Sequence, residues 1–355
     1  MKVKMVDATP EIIEAIYFKK DWQKILKLRH NVRIPTANPL TLDNYVHDQP
    51  DSVWEIIDRD GIIVHENDSY LNRIQENPCS ILDNPSDIYF VDSSTKRNCL
   101  RENHGVLVSA RRAEPATPLK TSWEKVLRKG EPFSWDTFFR SDVINKVIPS
   151  NSLILVDRYM FNPLDEGVQN LMDILDSILP ATLNGDYHVL LITDNNQITK
   201  DGEEVEPQDA VLEIQDVVPS LERPYRILLE VIMIQPLERG YARTPQNITL
   251  REFYADTHDR HIISNYFIVS ADHALSAVKG RNGKLVASFK QMLKFESIYA
   301  GIDNTYQDKK DLPVKGCDDF IKSVKKFTSG KSPACLYYIN TKEGNVNDIR
   351  NRLLL

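Results

Sequence analysis

Residues 152–157 read Ser-Leu-Ile-Leu-Val-Asp, with four apolar side chains in a row at the centre. A strand with one wet face alternates apolar and polar residues, so an unbroken run predicts a strand covered on both faces. Such a strand restricts the chain to folds in which helices pack over a sheet. The next residues supply a cover: Val168, Leu171, Met172, Leu175, Ile178 and Leu179 recur at helical spacing and stop before Pro180. Strands follow at 187–193 and 225–234, with an acidic loop over 201–216 between them. Residues 248–254 and 262–269 complete a β-α-β-(α)-β-β-β order. This alternation predicts an α/β fold whose sheet is mainly parallel, with antiparallel edge strands.

Upstream, Thr9 and Pro10 read as a helix cap and first helical residue, predicting one helix over 10–28. A short strand is expected at 61–65. Residues 87–91, 95–104 and 105–109 then read as strand, helix and strand, a small α/β unit. The stretch 110–149, which carries Trp123 and Trp135, is expected to form short helices over a sheet or a linker. These patterns divide the chain into an N-terminal α/β domain at 1–145, a second α/β domain at 146–300 and a basic C-terminal extension at 301–355 packed on the second. The extension is read as an amphipathic helix at 318–327 and a strand at 335–339.

With 41% hydrophobic and 27% charged residues, the composition is that of a globular protein. A formal charge of −7 argues against a wholly basic nucleic-acid-binding surface and leaves room for a local patch. The four cysteines, Cys79, Cys99, Cys317 and Cys335, lack zinc-site spacing. No metal and no cofactor are expected. No window holds the roughly 18 apolar residues that span a bilayer, and the N-terminus has no signal-peptide pattern. The expected setting is cytoplasmic, with reduced thiols and no membrane span.

The segment most suggestive of chemistry is His258-Asp259-Arg260-His261-Ile262-Ile263-Ser264-Asn265, an H-x-R-x-x-x-x-N pattern. Together with Asp157-Arg158-Tyr159 at the end of the first strand, it resembles one half of a phospholipase D-like fold. The similarity is to the divergent branch seen in the C-terminal domain of MIT-domain proteins and in bacterial relatives, and it spans about residues 150–300. Active members carry H-x-K-x-x-x-x-D: histidine attacks phosphorus, lysine neutralises the non-bridging oxygens and the acid orients the imidazole. The resemblance therefore implies catalytic-type positions at His258, Arg260 and Asn265. Arginine still suits a phosphate. Asparagine orients a ring without stabilising its charge, which implies a large loss of rate. Active enzymes also pair two such histidines, so turnover here would require a homodimer. A plainer reading has His258 capping a turn, with Asp259 and Arg260 in a surface ion pair.

A second candidate is Lys279-Gly280-Arg281-Asn282-Gly283-Lys284, a basic G-x-x-G turn in which Lys279, Arg281 and Lys284 would hold phosphate. Lysines 309, 310, 315, 322, 325, 326 and 331 would extend that strip or form the solvated face of a helix. Asp87, Asp92 and Asp157 stand at strand ends, where a metal-dependent nuclease would place acids, although caps and turns do the same. No P-loop, dinucleotide fingerprint or serine-hydrolase elbow is present. The leading expectation is a degenerate phospholipase D-like module that binds nucleic acid or another phosphate-bearing ligand. The resemblance extends this to a part in a bacterial antiviral defence complex, with a protein partner or homodimer. The alternatives are a homodimeric metal-independent nuclease using His258, and a non-catalytic structural subunit.

Overall fold

The computed structural model describes residues 6–7, 10–17, 19–29, 31–35, 53–59, 63–67, 88–91, 94–110, 117–141, 143–144, 148–194, 198–234, 260–279, 284–304, 312–328, 335–339, 341–345 and 348–354. Its first sheet is built from β1 (Val6–Asp7), β2 (Asn31–Pro35), β3 (Ile63–Asn67), β4 (Ile88–Val91) and β5 (Leu107–Ala110), in the order β3-β2-β1-β4-β5. Every pairing in it is parallel. The strand order reverses at β1, and the strand-helix-strand unit expected over 87–109 is β4, the helix Ser94–His104 and β5.

The single helix expected over 10–28 is two, Pro10–Tyr17 and Lys20–Arg29. The burial pattern gives the reason. Ile13, Ile16 and Tyr17 are buried, and at 3.6 residues per turn their stripe would continue through Lys20 and Lys24. The buried residues are instead Trp22, Ile25 and Leu26. A break at Lys19, whose amide closes on the Ile16 carbonyl, turns the second apolar stripe back to the core. There Trp22 meets Phe90 of β4 edge to face at 4.8 Å.

The remaining main strands are β6 (Ser122–Leu127), β7 (Ser152–Val156), β8 (Tyr187–Asp194), β9 (Thr199–Lys200), β10 (Glu203–Glu204), β11 (Ile227–Ile234), β12 (Arg260–Ser264), β13 (Phe267–Ala271), β14 (Ala277–Lys279), β15 (Leu285–Ala287), β16 (Gln291–Ser297), β17 (Cys335–Ile339) and β18 (Lys342–Gly344). Nine form one sheet in the order β18-β17-β11-β8-β7-β12-β13-β16-β6; β9 with β10 and β14 with β15 form separate ribbons. All residues of β7, β8 and β11 are buried, as the apolar runs required. These three are mutually parallel. The expected mainly parallel sheet is corrected to a mixed one, because every other pairing in it is antiparallel.

Three further expectations change. The run 262–269 is a hairpin: the chain reverses after Ser264, whose Oγ accepts from the amides of Tyr266 and Phe267 at 3.1 and 3.2 Å. The stretch 110–149 contributes β6, an edge strand of the nine-stranded sheet, so that sheet reaches back across the boundary expected at 145. The acidic stretch 201–216 is not a loop. After the β9–β10 ribbon it forms the helix Pro207–Gln215, which starts on a proline and buries Ala210, Val211 and Ile214.

Both faces of the sheet are covered around the β12–β13 hairpin. Phe139, in the helix Trp135–Phe139, meets Phe267 at 6.3 Å, and Phe320, in the helix Pro313–Thr328, meets His261 at 5.5 Å. The two sheets join where Asn103 accepts from the Asn184 amide, Asn151 Nδ2 donates to the His104 carbonyl and the Leu107 amide donates to Tyr266 Oη. Gly105 lies in that seam at φ +59°, and a methyl group there would stand 2.3 Å from the Ser150 carbonyl oxygen. Cys99 is disulfide-bonded, which corrects the expectation of reduced thiols; Cys317 is a buried thiol outside any disulfide.

Candidate functional site at the carboxyl edge of the parallel strands

In open α/β sheets the crevice beyond the carboxyl ends of parallel strands is the usual ligand position, because loops and helix starts converge there. Here β7 ends at Val156 and β8 at Asp194. β12 runs antiparallel to β7 and begins at the same edge, with His261 opposite Val156. One step outward, register brings Arg260 beside Asp157.

Asp157 is wholly buried. Its Oδ1 accepts from the Tyr159 amide at 2.8 Å and its Oδ2 from the Leu275 amide. Burial pushes its carboxyl up to about 6, against the opposing pull of those amides and of the Arg260 guanidinium. The carboxylate thus ties the loop after β13 to the end of β7. Arg158 is ion-paired with Asp194 at 3.0 Å. Its guanidinium carbon and that of Arg260 lie 5.4 and 5.3 Å from the Tyr159 ring centroid, within cation–π range.

Arg260 lines an open cavity of about 420 Å³ with Tyr159, Asn162, His273, Ala274, Ser276 and Phe289. A second cavity, of about 360 Å³, adjoins it and shares Asn162, Ser276 and Phe289. The second is walled by the β14–β15 ribbon, the turn at Lys129 and Gly130, and the first turns of the helix Leu164–Ile178. Gly167 brings that helix close to the chain, because a methyl group there would stand 2.3 Å from the Met160 carbonyl oxygen.

The sequence-derived candidates separate. Arg260 is in the cavity. His258 and Arg281 lie outside the described residues, as do Asp87 and Asp92. Lys279 ends β14, and its side chain is likewise outside them; Lys284 is exposed beside β15. Asn265 is not brought beside Arg260. It stands past the opposite end of β12, and its Oδ1 accepts from the amides of Asn151 and Ser152, both at 3.1 Å. Five residues of strand span roughly 16 Å, so the role expected of Asn265 is corrected from orienting a histidine to holding the start of β7. Of the tail lysines, Lys315 and Lys322 pair with Asp319 on the surface of their own helix. Among the described residues no group of three or more His, Cys, Asp or Glu could hold a metal ion, and no helix is long and apolar enough to cross a membrane.

No family model, curated protein or solved structure matches this chain. The site therefore rests on its own geometry. Sequence reading named Arg260 and the Asp157-Arg158-Tyr159 corner, but missed Asn162, His273, Ser276 and Phe289. Only the chain position of Asn162, just beyond a buried strand, signalled one of these in advance.

Proposed function

We propose that the chain binds a phosphate-bearing ligand in the Arg260 cavity and does not hydrolyse it, as a phospholipase D-like module with a degenerate motif would. The observation that carries this reading is the position of Arg260 in an open cavity at the carboxyl edge of the parallel strands. A guanidinium presents a fork of donors that matches two phosphate oxygens and stays charged at any working pH. Binding without turnover is favoured by Asn265, which is engaged a strand's length away from Arg260.

The test is a titration with inorganic tripolyphosphate and with a short single-stranded oligonucleotide. Both should bind more weakly as salt rises. Arg260→Ala should lower both affinities about tenfold, the loss of one charge-assisted contact, and leave the thermal midpoint within a few degrees of wild type. An Arg260→Ala protein that binds both probes like wild type contradicts the assignment. Cleavage of the oligonucleotide in EDTA, abolished by His258→Ala, would overturn the non-hydrolytic part.

A further inference from the structure

The second cavity is walled by apolar and polar side chains together. Met160, Val286 and Phe289 face the same hollow as Asn162, Glu166 and Ser288. Phe289 belongs to both cavities and is 50% exposed. A half-exposed phenylalanine where the two hollows meet offers a face on which a planar ring can stack. Ser288 lines the same hollow, and its Oγ, closed to solvent, has no hydrogen-bond partner among the described residues. A change of its χ1 rotamer would turn the hydroxyl into the hollow, where a polar ligand edge satisfies it.

Resting on the reading of Arg260 as a phosphate site, we propose that the second cavity is a nucleobase subsite. A base stacks on Phe289 with its polar edge towards Ser288, Asn162 and Glu166, while the phosphate of the same unit meets Arg260. The ligand class is then single-stranded nucleic acid, since a base held in a duplex cannot offer its face. A polymer fits better than a free nucleotide because exposed apolar side chains continue beyond Phe289. Met292 lies three residues further along and is the cross-strand partner of Val126, and both are exposed.

The experiment compares wild type, Phe289→Ala, Phe289→Trp and Arg260→Ala with four probes: an adenine homo-oligonucleotide, the same backbone without bases, the mononucleotide, and tripolyphosphate. Phe289→Ala should weaken oligonucleotide binding about tenfold and leave tripolyphosphate binding unchanged. Phe289→Trp should restore it, and the abasic backbone should bind wild type no better than the intact oligonucleotide binds Phe289→Ala. If Phe289→Ala and the abasic backbone both bind like their parents, the base subsite is wrong while the phosphate reading stands. If Arg260→Ala changes nothing, the phosphate reading itself fails. A mononucleotide that binds as tightly as the oligonucleotide overturns the assignment to a polymer.

Discussion

Replacing Asn351 by leucine should lower the unfolding free energy by roughly 4 kcal/mol, the net cost of leaving several buried polar groups without partners. Asn351 is fully buried near the end of the described chain. Its Nδ2 donates to the Leu153 carbonyl at 2.9 Å, and its Oδ1 accepts from Ser152 Oγ at 2.9 Å and from the Leu353 amide at 3.0 Å. Leucine has the same number of side-chain heavy atoms, so no cavity opens, and the loss combines the missing hydrogen bonds with the strain of its bulkier methyl groups. The preceding residue adds to this anchor. The Arg350 amide donates to Glu230 Oε1 at 2.7 Å, beside the Tyr337 hydroxyl at 2.6 Å, and burial holds the Glu230 carboxyl above its usual range. The segment 350–354 therefore clamps β7, β11 and β17 together at the edge opposite the Arg260 cavity. A loss of this size is a large fraction of the ~5–15 kcal/mol that separates a folded domain from its unfolded chain. Urea denaturation measures it; a shift below about 1 kcal/mol, within the range of ordinary surface substitutions, would mean that the segment does not hold these strands.

Asp157→Asn should show a stability defect that depends on pH. A carboxyl raised from 3.8 to about 6 by burial favours the folded state while it is protonated. Its contribution is fully present below about pH 4 and is lost as pH rises through about 6. The change corresponds to roughly 3 kcal/mol. Asparagine carries no such proton, and its amide would set an N–H against the Leu275 or the Tyr159 amide. Wild type should therefore exceed the variant most at about pH 4, and the gap should close by roughly 2–3 kcal/mol towards pH 7. His188 works in the opposite sense: burial pulls its imidazole down to about 4, so its contribution is present above about pH 6.5 and lost as pH falls. It is common to both proteins and cancels from the difference. Parallel denaturation curves across pH 4–7 check the prediction, and a gap that stays constant would contradict the buried, proton-binding carboxyl.

What the sequence disclosed is what local pattern encodes. β7, β8 and β11 were readable because strands buried on both faces carry long apolar runs, and the helix Leu164–Ile178 because its apolar stripe repeats at 3.6. Pairing was not readable. Ser122–Leu127 has mostly exposed side chains and joins the sheet through β16, more than 160 residues away, so no local apolar signal marked it as a strand. The reversal at Ser264 was hidden because the apolar residues on either side of it form what looks like one run. The motif from 258 to 265 was readable as a spacing, but spacing gives no distance until the backbone conformation is known. In an extended strand Arg260 and Asn265 point to different ends of the sheet. Phe289 and His273 carried no signal because the cavity wall is assembled from loops far apart in the chain.

Hydrogen–deuterium exchange with and without a saturating single-stranded oligonucleotide tests the central claim, that the Arg260 cavity is the ligand site, without altering any residue. Exchange should slow in the segments that wall the two cavities, residues 157–162, 272–276 and 284–290, and change little in the N-terminal sheet or the helix Pro313–Thr328. Protection confined to those other elements, or bound ligand with no protection at the cavity loops, would contradict it.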